Sequence, residues 1–135
     1  MKADTGGNEA FGNITFVDSG AVVIQTSAAT DADGELLIDG STDGAVGGNL
    51  SVTATTGNIT QGVALAVTGT SSFTTSASNA TITLDQANAF TGAVALNTTG
   101  SSGNATVVDA SGLDLAASPV GGNLDATAAT GKMVD

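Results

Sequence analysis

The sequence contains no cysteine, histidine, arginine, tryptophan or tyrosine, and it has only four phenylalanines and one proline. Without cysteine there are no disulfides, thiolate metal sites or cysteine nucleophiles. Positive charge is almost absent, because Lys2 and Lys132 face thirteen Asp and Glu and leave a net charge of −11. This balance argues against partners such as nucleic acid or an anionic membrane, which bind through cationic contacts. No apolar run approaches the roughly 20 residues of a membrane-spanning helix.

Apolar residues are present in short bursts that alternate with small polar ones, and turn residues separate the bursts. In 80–84, for example, Ile82 and Leu84 share one face while Thr81 and Thr83 share the other, as in a half-buried strand. No segment keeps a 3.6-residue period, so the sequence predicts an all-β protein. We expect inward-facing side chains at Leu50, Val52, Val63, Leu65, Val67, Ile82, Leu84, Val94, Leu96, Val107, Leu113, Leu115 and Leu124.

A long-range repeat indicates how the strands are arranged. Residues 46–61, VGGNLSVTATTGNITQ, return 74 positions later as residues 120–135, VGGNLDATAATGKMVD, with nine of sixteen positions identical. Four equal units of about 18.5 residues fit this offset, and three short strands with their corners have that length. The pattern predicts a parallel β-solenoid of about six to seven rungs of 18–20 residues, with Leu50 and Leu124 in equivalent places four rungs apart. An antiparallel sandwich and a disordered chain are the alternatives.

The expected organisation is a polar tail or weak cap over residues 1–11 and a single solenoid domain over 12–135. Neither terminal segment has the character of a good cap, so we expect a fragment of a longer repeat protein. Solenoids need caps because an open end exposes core and unpaired strand edges. The prediction is poor stability in isolation, or end-to-end self-association.

Gly-Asn pairs mark the corners between the bursts. They occur at 7–8, 12–13, 48–49, 57–58, 103–104 and 122–123, usually just before a predicted strand. Both residue types tolerate positive φ, so we expect these pairs to form tight corners.

Segments such as GGNLSVTATTGNITQ, NATITLDQANAFTGAVALNTTG and NATVVDASGLDLAASPVGGNL resemble the repeats of filamentous-haemagglutinin-type bacterial exoproteins. The resemblance covers about residues 46–131, and more weakly 12–45. It implies a right-handed parallel β-helix that forms the shaft of an exported adhesin. The family's secretion domain carries Asn-Pro-Asn motifs, whereas the single proline here is Pro119. The resemblance therefore implies shaft rather than secretion domain.

A candidate calcium site lies in TDADGE, residues 30–35. Asp31, Asp33 and Glu35 supply oxygen ligands, and Gly34 permits a sharp bend. A complete EF-hand-type loop has further ligands at fixed spacing, and these are missing. Calcium at Asp31, Asp33 and Glu35 is thus one hypothesis, and a solvated acidic loop is the alternative. No other cofactor is expected.

Catalysis is not expected. Some β-helix proteins cleave polysaccharides with clustered Asp and a basic residue, but Arg and His are absent here. Asp109 and Asp114 are close enough in sequence to suggest paired carboxylates. The alternation places both in turn or outward positions, so we predict no enzyme activity.

Threonine-rich bursts raise the possibility of an ice-binding solenoid, which needs the same threonine motif on every rung. Thr81 and Thr83 fit such a motif, but we expect Ala93 and Ala95 to occupy the same places in the next burst. Outward threonine is also simply a good strand former.

The predicted function is therefore a non-catalytic shaft segment of an extracellular or surface-bound bacterial adhesin or exoprotein, which spaces or presents binding regions. A calcium-binding or ice-binding solenoid module is the alternative. The expected partners are neighbouring rungs of the parent protein and a host-surface or cell–cell receptor. We expect neither nucleic-acid binding nor membrane insertion.

Overall fold

The protein is built of short strands, and the structure, a computed structural model, describes residues 2–4, 12–25, 35–39 and 45–135, with side chains for 12–25 and 46–135. None of these residues is helical, and so none forms a helix that could span a membrane. The strands are β1 (Lys2–Asp4), β2 (Ile14–Asp18), β3 (Val22–Gln25), β4 (Glu35–Asp39), β5 (Ala45–Val46), β6 (Leu50–Ala54), β7 (Ile59–Gln61), β8 (Ala66–Val67), β9 (Ser71–Ser78), β10 (Ile82–Phe90), β11 (Val94–Thr99), β12 (Ala105–Asp109), β13 (Leu113–Asp114), β14 (Leu124–Ala128) and β15 (Met133–Val134).

Every strand pairing in the described residues is parallel, which confirms the solenoid and excludes the antiparallel sandwich. A four-stranded sheet, the first sheet, has the order β2-β6-β9-β11. A longer sheet, the second sheet, has the order β1-β4-β3-β7-β10-β12-β14. The end of β10 bends round a corner to pair with β8, which pairs with β5, and β13 pairs with β15. Apart from β3 and β4, which pair with each other, consecutive strands thus lie on different faces, and each stacks on its counterpart in the next rung.

The described residues form about four rungs, fewer than the six to seven expected from a spacing of 18–20 residues. In the second sheet, Ile59, Ile82 and Ala105 stack in register at intervals of 23 residues. The interval falls to 19 only at the step from Ala105 to Leu124. The predicted rung was too short because the corners take up more residues than short turns do.

Two strands, β4 and β1, extend the second sheet beyond β3. After β3, the chain places β4 beside it, with Val23 opposite Glu35, and β1 pairs with the far side of β4. Residues 2–4 of the segment predicted as a tail or weak cap therefore belong to the sheet. The proposed boundary at residue 12 stays a prediction.

The interior is filled with aliphatic side chains and three buried phenylalanines, Phe16, Phe73 and Phe90. Phe73 and Phe90 meet edge to face, with ring centroids 6.2 Å apart, a favoured aromatic geometry. The inward prediction is confirmed for ten residues, namely Leu50, Val52, Leu65, Val67, Ile82, Leu84, Val94, Leu96, Val107 and Leu113, which are all buried. Val63 and Leu115 are half-buried. Leu124 is 41% exposed, because β14 is the edge strand of the second sheet.

The predicted equivalence of Leu50 and Leu124 is wrong. Leu50 stacks on Ser71 in the first sheet, whereas Leu124 stacks on Ala105 in the second. The 74-residue distance between the two similar segments therefore does not correspond to a whole number of rungs. The similarity marks a shorter unit, a Gly-Asn corner followed by a strand, which the chain uses at corners leading into both sheets.

Candidate functional site: polar ladders inside and outside the solenoid

Two of the three residues of the predicted calcium site lie outside the described residues. Asp31 and Asp33 are not among them, and Glu35 is described only as the first backbone position of β4. Where side chains are described, no three acidic groups converge as metal ligands. The site at Asp31, Asp33 and Glu35 stays a prediction.

The two carboxylates considered for catalysis have different environments. Asp114 is exposed as expected, but Asp109 is fully buried, so its predicted outward position is wrong. Its Oδ2 accepts the Phe90 N–H at 2.7 Å. Its Oδ1 accepts the Ser111 N–H at 2.7 Å and the Ser111 hydroxyl at 2.8 Å. Both oxygens are therefore occupied by fixed donors, and the carboxylate ties two rungs together rather than facing a substrate.

Asp109 belongs to a buried polar row, which we call the inner ladder and define as Gln61, Asn88 and Asp109 on successive rungs. The Gln61 and Asn88 carboxamides exchange two hydrogen bonds. Gln61 Nε2 donates to Asn88 Oδ1 at 2.8 Å, and Asn88 Nδ2 donates to Gln61 Oε1 at 3.0 Å. Asn88 and Asp109 are partners in the strand register. Three polar side chains are thus stacked inside one corner of the solenoid.

Backbone groups complete the inner ladder. Asn88 Oδ1 also accepts the Leu65 N–H at 2.8 Å, and Asn88 Nδ2 donates to the Val108 carbonyl at 2.9 Å. Gln61 Nε2 donates to the Val63 carbonyl at 2.7 Å. Because the side chains take these backbone groups, β8 is confined to Ala66–Val67. The chain can leave the sheet at this corner without losing buried hydrogen bonds.

Corner asparagines form a second set, the outer ladder, in two columns: Asn13 and Asn49 precede strands of the first sheet, and Asn58 and Asn104 precede strands of the second. Each side-chain oxygen accepts a backbone N–H of the following rung. Asn13 accepts from Asn49 at 2.8 Å, and Asn49 accepts from Thr70 at 2.9 Å. Asn58 accepts from Thr81 and Asn104 from Asn123, both at 2.8 Å. These asparagines replace a ladder bond where the backbone turns between sheets.

Glycine at these corners provides space rather than positive φ. Among described residues, only Asn79 and Gly100 have positive φ, so the five described Gly-Asn pairs form their corners without it; the pair at 7–8 lies outside the described residues. A Cβ added to Gly48 would strike Asn13 Oδ1, and one added to Gly122 would strike Asn104 Oδ1. At these two pairs the glycine makes room for the asparagine of the rung before it, whereas a Cβ added to Gly57 would strike Ala21 instead.

Neither Gln61 nor Asn88 was identified from the sequence as a structural residue. For all three ladder members a signal was present in the alternation. Gln61 continues the inward parity of Ile59, and Asp109 continues that of Val107, as their burial shows. Asn88 keeps the parity of Ile82 and Leu84, but the register shift between Leu84 and Asn88 hides that it meets Asp109 of the next rung.

The outward threonines form a column of three in the second sheet and a stacked pair, Thr53 and Thr74, in the first. Thr83 stacks between Thr60 and Thr106. The expectation that Ala93 and Ala95 take the places of Thr81 and Thr83 on the next rung is therefore wrong, and Ala95 lies in the first sheet beside Ser72. Val23 and Asp125 continue the Thr60–Thr83–Thr106 column at its two ends. The described faces therefore carry one stack of three threonines and one of two, not an array repeated on every rung.

Three further polar side chains, Ser71, Thr75 and Thr98, are buried, and of these only Ser71 lacks a hydrogen-bond partner. Ser71 is buried between Leu50 and Val94 in the first sheet, and its hydroxyl has no hydrogen-bond partner. It faces the packed interior, where nothing in the structure gives it a chemical role.

Comparison with known proteins adds one finding. A family model described as repeats of unknown function (DUF5649) matches residues 3–97 and 102–135. The comparisons with curated proteins and with solved structures found no match.

Proposed function

We propose, because the chain belongs to the DUF5649 family of repeats, that it is a non-catalytic structural segment of an extracellular bacterial protein. In this role the solenoid is a shaft that spaces or presents binding regions carried elsewhere on the parent protein. Solenoid repeats suit this task because each rung contacts only its neighbours, so length grows by adding rungs.

The inner ladder is the observation that supports this proposal most strongly. Asp109 is the only carboxylate buried among the described side chains, and all of its hydrogen bonds are internal. Gln61 and Asn88 likewise bond to each other and to nearby backbone. A catalytic carboxylate must reach substrate, whereas these groups hold rungs in register.

The finer assignment is a right-handed shaft of the filamentous-haemagglutinin type, carried by a surface adhesin or released exoprotein. Its support is the resemblance of the repeat segments and the abundance of small outward residues. The partners would be neighbouring rungs and a host-surface or cell–cell receptor. The net charge of −11 disfavours nucleic acid and anionic membranes as partners.

Surface exposure on intact cells tests this function. Antibodies raised against the chain should label intact cells of the bacterium that produces it, or detect the protein in the medium. Protease added outside intact cells should remove the cell-bound label and leave a cytoplasmic marker protein undigested. Label that appears only after the cells are permeabilised would contradict the proposal.

A further inference from the structure

Six asparagines of the chain lie in the sequence Asn-x-Ser/Thr, the acceptor motif for transfer of a sugar to an asparagine side chain. They are Asn13, Asn49, Asn58, Asn79, Asn97 and Asn104, and the structure describes the side chains of all six. The motif also arises by chance in a chain rich in Asn, Ser and Thr. The surroundings of each side chain therefore decide which motifs a transferase can reach.

The six motifs share one orientation on the solenoid. The middle residue of each motif is buried, namely Ile14, Leu50, Ile59, Ala80, Thr98 and Ala105. The asparagine before it and the Ser or Thr after it are exposed or half-buried in all six motifs. This is the alternation of an extended chain, in which residues two positions apart share a face. The amide and the hydroxyl of each motif therefore lie on the outside of the solenoid together.

Five of these asparagines have an amide nitrogen without a hydrogen-bond partner. Each accepts a backbone N–H with its Oδ1, as the outer ladder does at Asn13, Asn49, Asn58 and Asn104. Asn79 Oδ1 likewise accepts the Ser102 N–H at 3.0 Å. All five are exposed, and their Nδ2 groups donate to nothing in the described part of the chain. These corners need only an acceptor oxygen, which Asp would also supply, so the nitrogen is free for a transferase to use.

The sixth motif, at Asn97, differs in both of its groups. Asn97 is half-buried in β11, and its Nδ2 donates to the Thr74 hydroxyl at 3.4 Å. The hydroxyl of Thr99, two residues later, donates to the Ala77 carbonyl at 3.4 Å. The corresponding hydroxyls of the other five motifs have no partner among described residues; they belong to Thr15, Ser51, Thr60, Thr81 and Thr106. The structure therefore separates five open motifs from one whose groups are engaged.

We propose that the five open asparagines, Asn13, Asn49, Asn58, Asn79 and Asn104, are N-glycosylation sites of the folded protein; we call them the corner acceptors. The donor is a sugar whose C1 carries a diphosphate, and a separate transferase supplies the catalytic groups. The Nδ2 atom attacks C1, and a C1–N bond forms as the C1–O bond breaks. The diphosphate leaves with the electron pair of that bond, and the amide proton passes to a base of the transferase.

The outer ladder can remain intact after this reaction. The sugar replaces one hydrogen of Nδ2, whereas the ladder uses Oδ1. Asn58 and Asn104 are two rungs apart, with Thr81 between them, which is about 10 Å at the spacing of parallel strands. Asn13 and Asn49 are only one rung apart, so a sugar on one should hinder modification of the other. The inference goes beyond the proposed function by adding a chemical modification of the shaft's sides.

Peptide mass spectrometry of the full chain, purified from the bacterium that produces it, tests the proposal. Sugar should be found at Asn58, Asn79 and Asn104, and at Asn13 or Asn49, whereas Asn97 should stay largely unmodified. A single monosaccharide would identify a nucleotide-sugar donor and a uniform oligosaccharide a lipid-linked donor, and both support the proposal. Unmodified asparagine at all five corner acceptors, or occupancy of Asn97 equal to theirs, would overturn it.

Thr60→Val tests whether the motif, rather than the shape of the corner, directs the sugar. Thr60 is the hydroxyl residue of the Asn58 motif, and valine keeps its shape and its preference for strands. The variant, produced in the same bacterium, should lose the sugar at Asn58 alone and keep the circular dichroism of wild type. Thr60→Ser retains the hydroxyl and is the matched control, in which the sugar should remain. Sugar that persists at Asn58 in Thr60→Val, or that disappears from both variants, would contradict the proposal.

Thr81→Asn provides a test that includes the gain of a site. The change removes the hydroxyl of the Asn79 motif and creates a new motif at position 81, with Thr83 two residues later. Sugar should leave Asn79 and appear at position 81 in part of the molecules, since Asn58 and Asn104 on the neighbouring rungs crowd it. The proposal fails if sugar stays at Asn79 or never appears at position 81. Surface labelling decides the proposed function separately, because it detects the protein with or without sugar.

Discussion

Asp109 illustrates how a single residue links two rungs. Its carboxylate is fully buried and accepts three hydrogen bonds, from Phe90 on the preceding rung and from Ser111 on its own. Hydrogen bonds to a charged acceptor each contribute about 1.5–3 kcal/mol, and a donor left buried without a partner costs about 1–3 kcal/mol. Asp109 is therefore expected to matter for stability without touching any ligand.

Asp109→Asn should lower the free energy of unfolding by about 3 kcal/mol. The carboxamide keeps one acceptor oxygen, but its N–H₂ group must face either the Phe90 N–H or the Ser111 donors. Asp114→Asn is the matched control, because Asp114 is exposed and its replacement should change stability by less than about 0.5 kcal/mol. Urea unfolding of the two variants measures the difference. Equal stabilities would show that the inner ladder does not hold the rungs.

At the scale of elements, the recurring unit is a corner and the strand that follows it. The alternation of apolar residues was sufficient to predict the strands, because burial on one face imposes a period of two. It could not predict which sheet a strand joins, since Leu50 and Leu124 follow the same Gly-Asn corner into different sheets. Equivalence between rungs depends on corner length, which local sequence similarity does not record.

Gly69→Ala should lower the free energy of unfolding by about 2 kcal/mol or more, as overpacking does. A Cβ at this position would lie 2.6 Å from the Gly48 carbonyl oxygen and closer still to Asn49 Oδ1. Gly20→Ala is the control, because an added Cβ there meets nothing within 4 Å. Thermal denaturation of both variants checks the prediction. If Gly20→Ala proves as destabilising as Gly69→Ala, loss of glycine itself, rather than close contact between rungs, is responsible.

At the scale of the whole molecule, the stacking interval defines the architecture. The sequence led to a parallel solenoid, and the parallel pairings confirm it. The predicted rung length of 18–20 residues was too short because it came from dividing the 74-residue distance between the two similar segments into four equal parts. The register shift in β10 and the bends at 62–63 add residues that no periodic pattern reveals. The same shift hid the pairing within the interior polar row, because Asn88 keeps the inward parity of Ile82 and Leu84 but meets Asp109 only through the shifted register.

Engineered cysteine pairs test this stacking most directly, because the natural chain contains no cysteine. Thr83 and Thr106 are register partners on adjacent parallel strands, which places their Cα atoms about 4.8 Å apart, within disulfide range. Under mild oxidation, the pair Thr83→Cys and Thr106→Cys should form an intramolecular disulfide. The pair Thr83→Cys and Ser102→Cys, which a 19-residue rung would bring together, should keep free thiols. Cross-linking of the second pair but not the first would contradict the stacked arrangement on which the whole account rests.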